Sequence, residues 1–91
     1  MLALFERQCE RLLPLIAGAE MLAERADAAH TFKGAARAIG AWRIASLCET
    51  LETALDEARP AETLVRLHGK LEGAVDETRA AIAERCRGVA A

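Results

Sequence analysis

Ninety-one residues make one small domain, and a chain of that size buries only about 60–65% of its unfolded surface, which favours regular elements with short connections. Twelve basic against fourteen acidic residues, a net charge of −2, lack the basic balance of a nucleic-acid binder, and no apolar run approaches the roughly 20 residues a membrane span requires. Abundant Ala, Leu, Glu and Arg with two Pro, no Tyr and 3% aromatic residues favour helix and leave the core mainly to aliphatic side chains.

Four amphipathic segments follow one another. The first, residues 2–16, carries Phe5, Cys9, Leu12, Leu13 and Ile16 at helical spacing. Pro14 falls inside that pattern and predicts an end near Leu13 or a kink, with Gly18 marking the break. The second, residues 20–39, places Leu22, Ala26, Ala29, Phe32, Ala36 and Ile39 on one face. Gly40 is placed to close it, and its acids (Glu20, Glu24, Asp27) and bases (Lys33, Arg37) are ordered as the helix dipole prefers. The third, residues 41–58, runs through Ile44, Leu47, Cys48, Leu51, Leu55 and Ala58 to the stop signal Arg59-Pro60. Pro60 is also suited to open the fourth, residues 61–87, with its stripe Leu64, Leu67, Leu71, Ala74, Val75, Thr78, Ala81 and Ile82. Helices joined by a few residues predict an all-α, antiparallel up-down four-helix bundle spanning residues 1–91 as one domain.

Cys9, Cys48 and Cys86 are odd in number and in no metal-ligand spacing, which reads as small buried hydrophobes in a reducing compartment. The start, Met1 to Arg7, has neither a basic n-region nor a long apolar run, so a cytoplasmic location is expected. No metal site and no cofactor of its own are expected.

The chemistry concentrates in the second segment. At 100° per residue, His30 lies roughly 90° from the centre of the apolar set, on its boundary or outside it. Gly34 and Arg37 share its side, Ala23 lies below it, and Lys33 stands between this group and the stripe, so its stem is expected to lie along the helix while its ammonium reaches out. Gly34 costs a helix interior about 1 kcal/mol against Ala; a partner backbone approaching His30 would require it. Unperturbed imidazole titrates near pH 6.5, so at neutral pH an exposed ring is mostly neutral and nucleophilic. A phosphoryl group placed on it carries nearly two negative charges, which a neighbouring lysine can offset. Phosphoryl transfer relies on positioning and charge stabilisation, so little other machinery is needed.

Ala29-His30-Thr31-Phe32-Lys33-Gly34-Ala35-Ala36, then Ile39-Gly40-Ala41, then Cys48-Glu49-Thr50-Leu51-Glu52, resembles the phosphoacceptor region of the histidine phosphotransfer (HPt) domain. The departures are Phe32 where that family has an aliphatic residue, and Ala after the glycine. The resemblance covers Ala29 to Glu52, and outside it only four-helix patterning is shared. It implies a phosphorelay protein that accepts a phosphoryl group from the aspartate of one response-regulator receiver domain and passes it to another. His30 would be the phosphoacceptor, Lys33 the phosphate-stabilising cation and Gly34 the clearance position. Arg37 is added from geometry as a possible support, and Ala23, Asp27 and Arg37 as partner-docking positions. Mg²⁺ would sit on the receiver, a hybrid histidine kinase would stand upstream, and the protein would be a monomer without kinase activity of its own.

Three other readings compete. A sensor-kinase dimerisation domain usually has an acid directly after its histidine and a nearby proline, where Thr31 follows here. A chemotaxis-type kinase phosphoacceptor domain shares the His-x-x-Lys-Gly box. A scaffold that binds receivers or kinases without turnover would not need an intact His30, Lys33 and Gly34. His68 lacks that spacing and reads as an edge-of-core residue; Glu52 reads as a structural link to a neighbouring helix, and Asp27 as an acid complementing the dipole. Trp42 either covers the bundle end or meets a partner. Glu6, Glu10, Glu72 and Asp76 read as solvated faces.

Overall fold

The computed structural model describes residues 2–90, with side chains from 3 to 85. It contains helices α1 (Leu2–Gly18), α2 (Leu22–Ala38), α3 (Trp42–Asp56) and α4 (Ala61–Ala90), and no strand among the described residues. Consecutive helices pack on one another and α4 returns to α1. The α2–α3 pairing is the most extensive and α1–α4 the slightest. At a rise of 1.5 Å per residue, α4 is about 45 Å long, which accounts for the 48 × 20 × 18 Å dimensions of the molecule.

Every helix feeds one core. Phe5, Cys9, Leu12 and Ile16 come from α1, Ala28, Ala29, Phe32 and Ala36 from α2, Ile44, Cys48, Leu51 and Leu55 from α3, and Leu64, Leu67, Leu71 and Val75 from α4. Phe5 stacks on Phe32 with ring centroids 5.8 Å apart. Alanine dominates the α2 contribution, so α1 and α3 can approach that helix closely and hold it by contact on both sides.

Pro14 neither ends nor interrupts α1, which continues as α-helix to Gly18. Both Pro14 and Glu10, whose carbonyl loses its helical donor, are exposed, so solvent can replace the missing bond. Leu22, expected in the core, is exposed because α2 begins there, with Met21 as its extended N-cap. Arg25 donates from Nε to the Ile16 carbonyl at 2.7 Å, supplying a cationic donor to one of the last carbonyls of α1. Glu6, expected to be solvated, makes a two-pronged ion pair with Arg79 at 2.7 and 3.0 Å, and Arg43 donates to Glu77 at 2.8 Å. Both pairs tie α4 back to the other helices.

Helices α2 and α3 end in the same way. Gly40, at φ +76°, donates to the Arg37 carbonyl, and Ala41 to the Ala36 carbonyl at 2.8 Å. Ala58 repeats the left-handed position at φ 50°, with Arg59 donating to the Ala54 carbonyl at 3.0 Å. It therefore lies beyond α3 rather than on its core face. An L-residue there carries a strain of roughly 1–2 kcal/mol that glycine avoids. Ala58→Gly is accordingly expected to stabilise the domain by about 0.5–1 kcal/mol, read as a higher urea midpoint at unchanged slope.

The thiols of Cys9 and Cys48 are free and buried. Burial pushes Cys9 up to about 11 and Cys48 up to about 12, so both are protonated at neutral pH. Cys86 lies outside the described side chains.

Candidate phosphoacceptor site

Short side chains on one face of α2 and the turn at Gly40–Ala41 bring α3 alongside α2, and the chemistry lies along that seam. His30 is 69% exposed, and its Nδ1 lies 2.9 Å from Oε1 of Glu52 on α3. A carboxylate only accepts, so Nδ1 carries the proton and donates it to Glu52. The Nε2 lone pair is then available on the opposite edge of the ring. Nε2 makes no hydrogen bond among the described residues. Glu52 thus fixes the ring's tautomer and orientation, and it would stabilise the cationic ring that forms when Nε2 bonds to an electrophile.

Lys33 is placed otherwise than its helical angle suggests. It is buried, with a side chain only 11% exposed. Its Nζ lies 3.4 Å from the same Glu52 oxygen that His30 contacts. Packing of α3 against α2 draws the ammonium into the seam, because a buried cation requires a counter-charge and Glu52 supplies one. One turn beyond, Arg37 is 51% exposed and its guanidinium reaches Glu49 only at 4.0 Å. Gly34 is exposed, and a Cβ built on it would meet nothing within 4 Å. The fold itself therefore leaves that position open, one turn along from His30.

Among the flanking positions, Ala23 and Asp27 are exposed. Asp27 joins Arg11, Leu15, Glu24 and Thr31 in a shallow groove between α1 and α2, beside His30 rather than in contact with its ring. Trp42 does not cover the bundle end, being 66% exposed at the start of α3.

Two rival nucleophiles are disabled by their surroundings. Nδ1 of His68 lies 2.8 Å from Oε1 of Glu72, and its Nε2 is buried without a hydrogen-bond partner among the described residues, so no phosphoryl donor can reach Nε2. Cys48 is held protonated first by burial and then by the charge of Glu52, against which Lys33 acts in the opposite sense. Among the described residues no group of three or more His, Cys, Asp or Glu is placed to hold a metal ion. No helix there is long and apolar enough to cross a membrane.

The direct bond from Glu52 to His30 is the element that residue types alone left undecided, since Glu52 was expected only to link neighbouring helices. A signal for it exists in the spacing. His30 and Glu52 lie at nearly equal distances on either side of the Gly40–Ala41 turn, so a helical hairpin sets them face to face.

A family profile described as the Hpt domain matches residues 1–81. The chain belongs to the Hpt domain family. Hpt domains carry out histidine phosphotransfer in two-component phosphorelays, where they interact with receiver domains and kinases. Searches of curated proteins and of solved structures found no match. The matched segment includes the whole α2–α3 seam, so the Hpt assignment and the exposed imidazole concern the same part of the molecule.

Proposed function

We propose that His30 is the phosphoacceptor of this Hpt domain, taking a phosphoryl group from the aspartate of one receiver domain and delivering it to the aspartate of another. One observation carries the reading: Nδ1 of His30 is engaged by Glu52 at 2.9 Å while the ring remains 69% exposed. This leaves Nε2 as an oriented nucleophile open to solvent.

In the forward step the Nε2 lone pair attacks phosphorus, and the bond between phosphorus and the aspartyl oxygen breaks. The aspartate leaves as a carboxylate, and the ring becomes a cation whose proton stays on Nδ1, hydrogen-bonded to Glu52. Delivery is the reverse, with the electron pair returning to Nε2 as the next aspartate attacks. The transferring group passes through a loose state in which alignment and charge count for most. Glu52 supplies the alignment. Lys33 holds Glu52 in place and adds positive potential behind the ring, and Gly34 leaves room for the receiver's backbone. Mg²⁺ bound by the receiver would neutralise the acyl phosphate on that side. Ala23, Asp27 and Arg37 border the surface a receiver would cover, a hybrid histidine kinase would supply the first receiver, and the protein would act as a cytoplasmic monomer.

The reading includes an antiparallel up-down course for the four helices. Ile16 meets Arg25 near the α1–α2 turn and Phe5 meets Phe32 far from it. Glu6 near the start of α1 meets Arg79 late in α4. Both patterns support alternating directions.

The test is direct. With a receiver carrying a labelled aspartyl phosphate and Mg²⁺, the protein is expected to acquire acid-labile, base-stable label that a second receiver removes. Absence of label with several receivers that do load other Hpt domains would count against the reading.

A further inference from the structure

Two carboxylates face two cations along the α2–α3 seam. On α2 stand Lys33 and Arg37; on α3 stand Glu52 and Glu49. With His30 neutral, the four formal charges cancel, yet a phosphoryl group on Nε2 brings nearly two negative charges to this surface. A cation that is free to move can meet them. The two candidates are not equally free.

Lys33 is the residue the sequence offers, but its position suits a different task. Its ammonium and Nδ1 of His30 share one oxygen of Glu52, at 3.4 and 2.9 Å. It therefore sits behind the edge of the ring opposite to Nε2. Moving it to the phosphoryl group would strip Glu52 of its counter-charge and expose a buried stem. Arg37 has neither restraint. It is half exposed, its partner Glu49 is more exposed still, and their separation of 4.0 Å is the loosest ion pair on the molecule's described surface. An exposed pair of this kind contributes little to stability, so releasing it costs almost nothing. Two helical turns put Arg37 about 10 Å further along the axis and within about 20° of the direction of His30. Helical side chains lean toward the N-terminus, which for Arg37 means toward His30.

We infer that Arg37 is the direct counter-ion of the phosphoryl group on His30, held in reserve by Glu49 in the unphosphorylated protein. Lys33 is a positioning residue that acts through Glu52. Phosphorylation exchanges one exposed ion pair for another: Arg37 leaves Glu49, which faces water, and its planar guanidinium meets two phosphoryl oxygens. The inference rests on His30 being the phosphoacceptor.

Phosphoramidate, a small N-phosphoryl donor, permits a test without any receiver. Nε2 attacks phosphorus, the donor's P–N bond breaks, and ammonia departs as the new N–P bond forms. Intact mass and peptide mapping establish whether His30 gains the group, and ³¹P NMR then follows its second ionisation with pH. A nearby cation favours the dianion and lowers the midpoint of that titration. Arg37→Gln is expected to raise the midpoint by about 0.5 unit or more, roughly a three-fold change in the ionisation constant. Glu49→Gln, which frees Arg37, is expected to lower it, and Arg37→Lys to retain most of the wild-type value. Both positions are exposed, so the variants fold. A wild-type protein that gains no phosphoryl group at His30 would remove the functional reading itself. A phosphorylated protein whose midpoint is unmoved by Arg37→Gln, or moves further with Lys33→Met than with Arg37→Gln, would overturn the assignment of Arg37 alone.

Discussion

His30→Gln is expected to reduce phosphoryl transfer from a loaded receiver to background, while His68→Gln leaves the extent of labelling unchanged. Glutamine retains a polar group at an exposed position but has no basic lone pair to form a bond to phosphorus. The substitution should move stability by only about 0.5 kcal/mol, as for other surface changes, even though one solvent-exposed contact to Glu52 is lost. Circular dichroism and the urea midpoint should therefore match the wild type, and loss of label would then report chemistry rather than unfolding. His68 provides the internal control: its Nε2 is buried and its Nδ1 lies against Glu72. Labelling that survives in His30→Gln and disappears in His68→Gln would reverse the assignment.

Phe32→Ala is expected to cost about 3–5 kcal/mol, the range for removing a fully buried phenyl ring. Phe32 is completely buried and stacks on Phe5 from α1, so no solvent-facing relaxation is available to fill the space. A domain of this size has a total stability of roughly 5–15 kcal/mol, and the variant should thus lose about a fifth or more of it. The check is urea unfolding with Phe5→Ala and the double variant alongside. Aromatic pairs couple by about 0.5–1.5 kcal/mol, so the two single losses should sum to more than the double one. Simple additivity, or a loss of only a few tenths of a kcal/mol, would show that the stack does not anchor α2. The consequence for function follows from position, since Phe32 lies between His30 and Lys33 in sequence. A loosened α2 would let the imidazole drift from Glu52, and phosphoryl transfer should fall even in the fraction that remains folded.

The four helices were legible because apolar residues recur at a helical period and the breaks carry recognisable residues. Gly40 adopts the left-handed conformation that its place after the α2 stripe anticipates. Ala58 does the same work without any such mark, and for that reason its segment reads as a continuation of α3. Pro14 leaves an end or a kink open on sequence, and α1 runs through it to Gly18. The rule that proline breaks helices concerns a lost bond and a steric clash, and it does not register that Glu10, whose carbonyl loses its donor, is exposed.

The position of His30 on an outer face follows from periodicity alone, because the angle between residues on one helix is a local property. The state of Lys33 does not. Whether a side chain on the edge of a stripe points outward depends on which helix lies beside it and what charge that helix presents. Here α3 brings Glu52 against the seam and draws Lys33 inward.

The order of residues by itself determined the helical class, the resemblance centred on His30 and most of the core stripe of each helix, with Leu22, Ala58 and Ala81 the exposed exceptions, since each depends on spacing within one segment. Only the tertiary structure decided that Glu52 orients the imidazole, that Lys33 is committed to Glu52, and that Arg37 remains loosely held. These are relations between residues on different helices, and their distances are set by how α2 and α3 pack rather than by any interval along the chain.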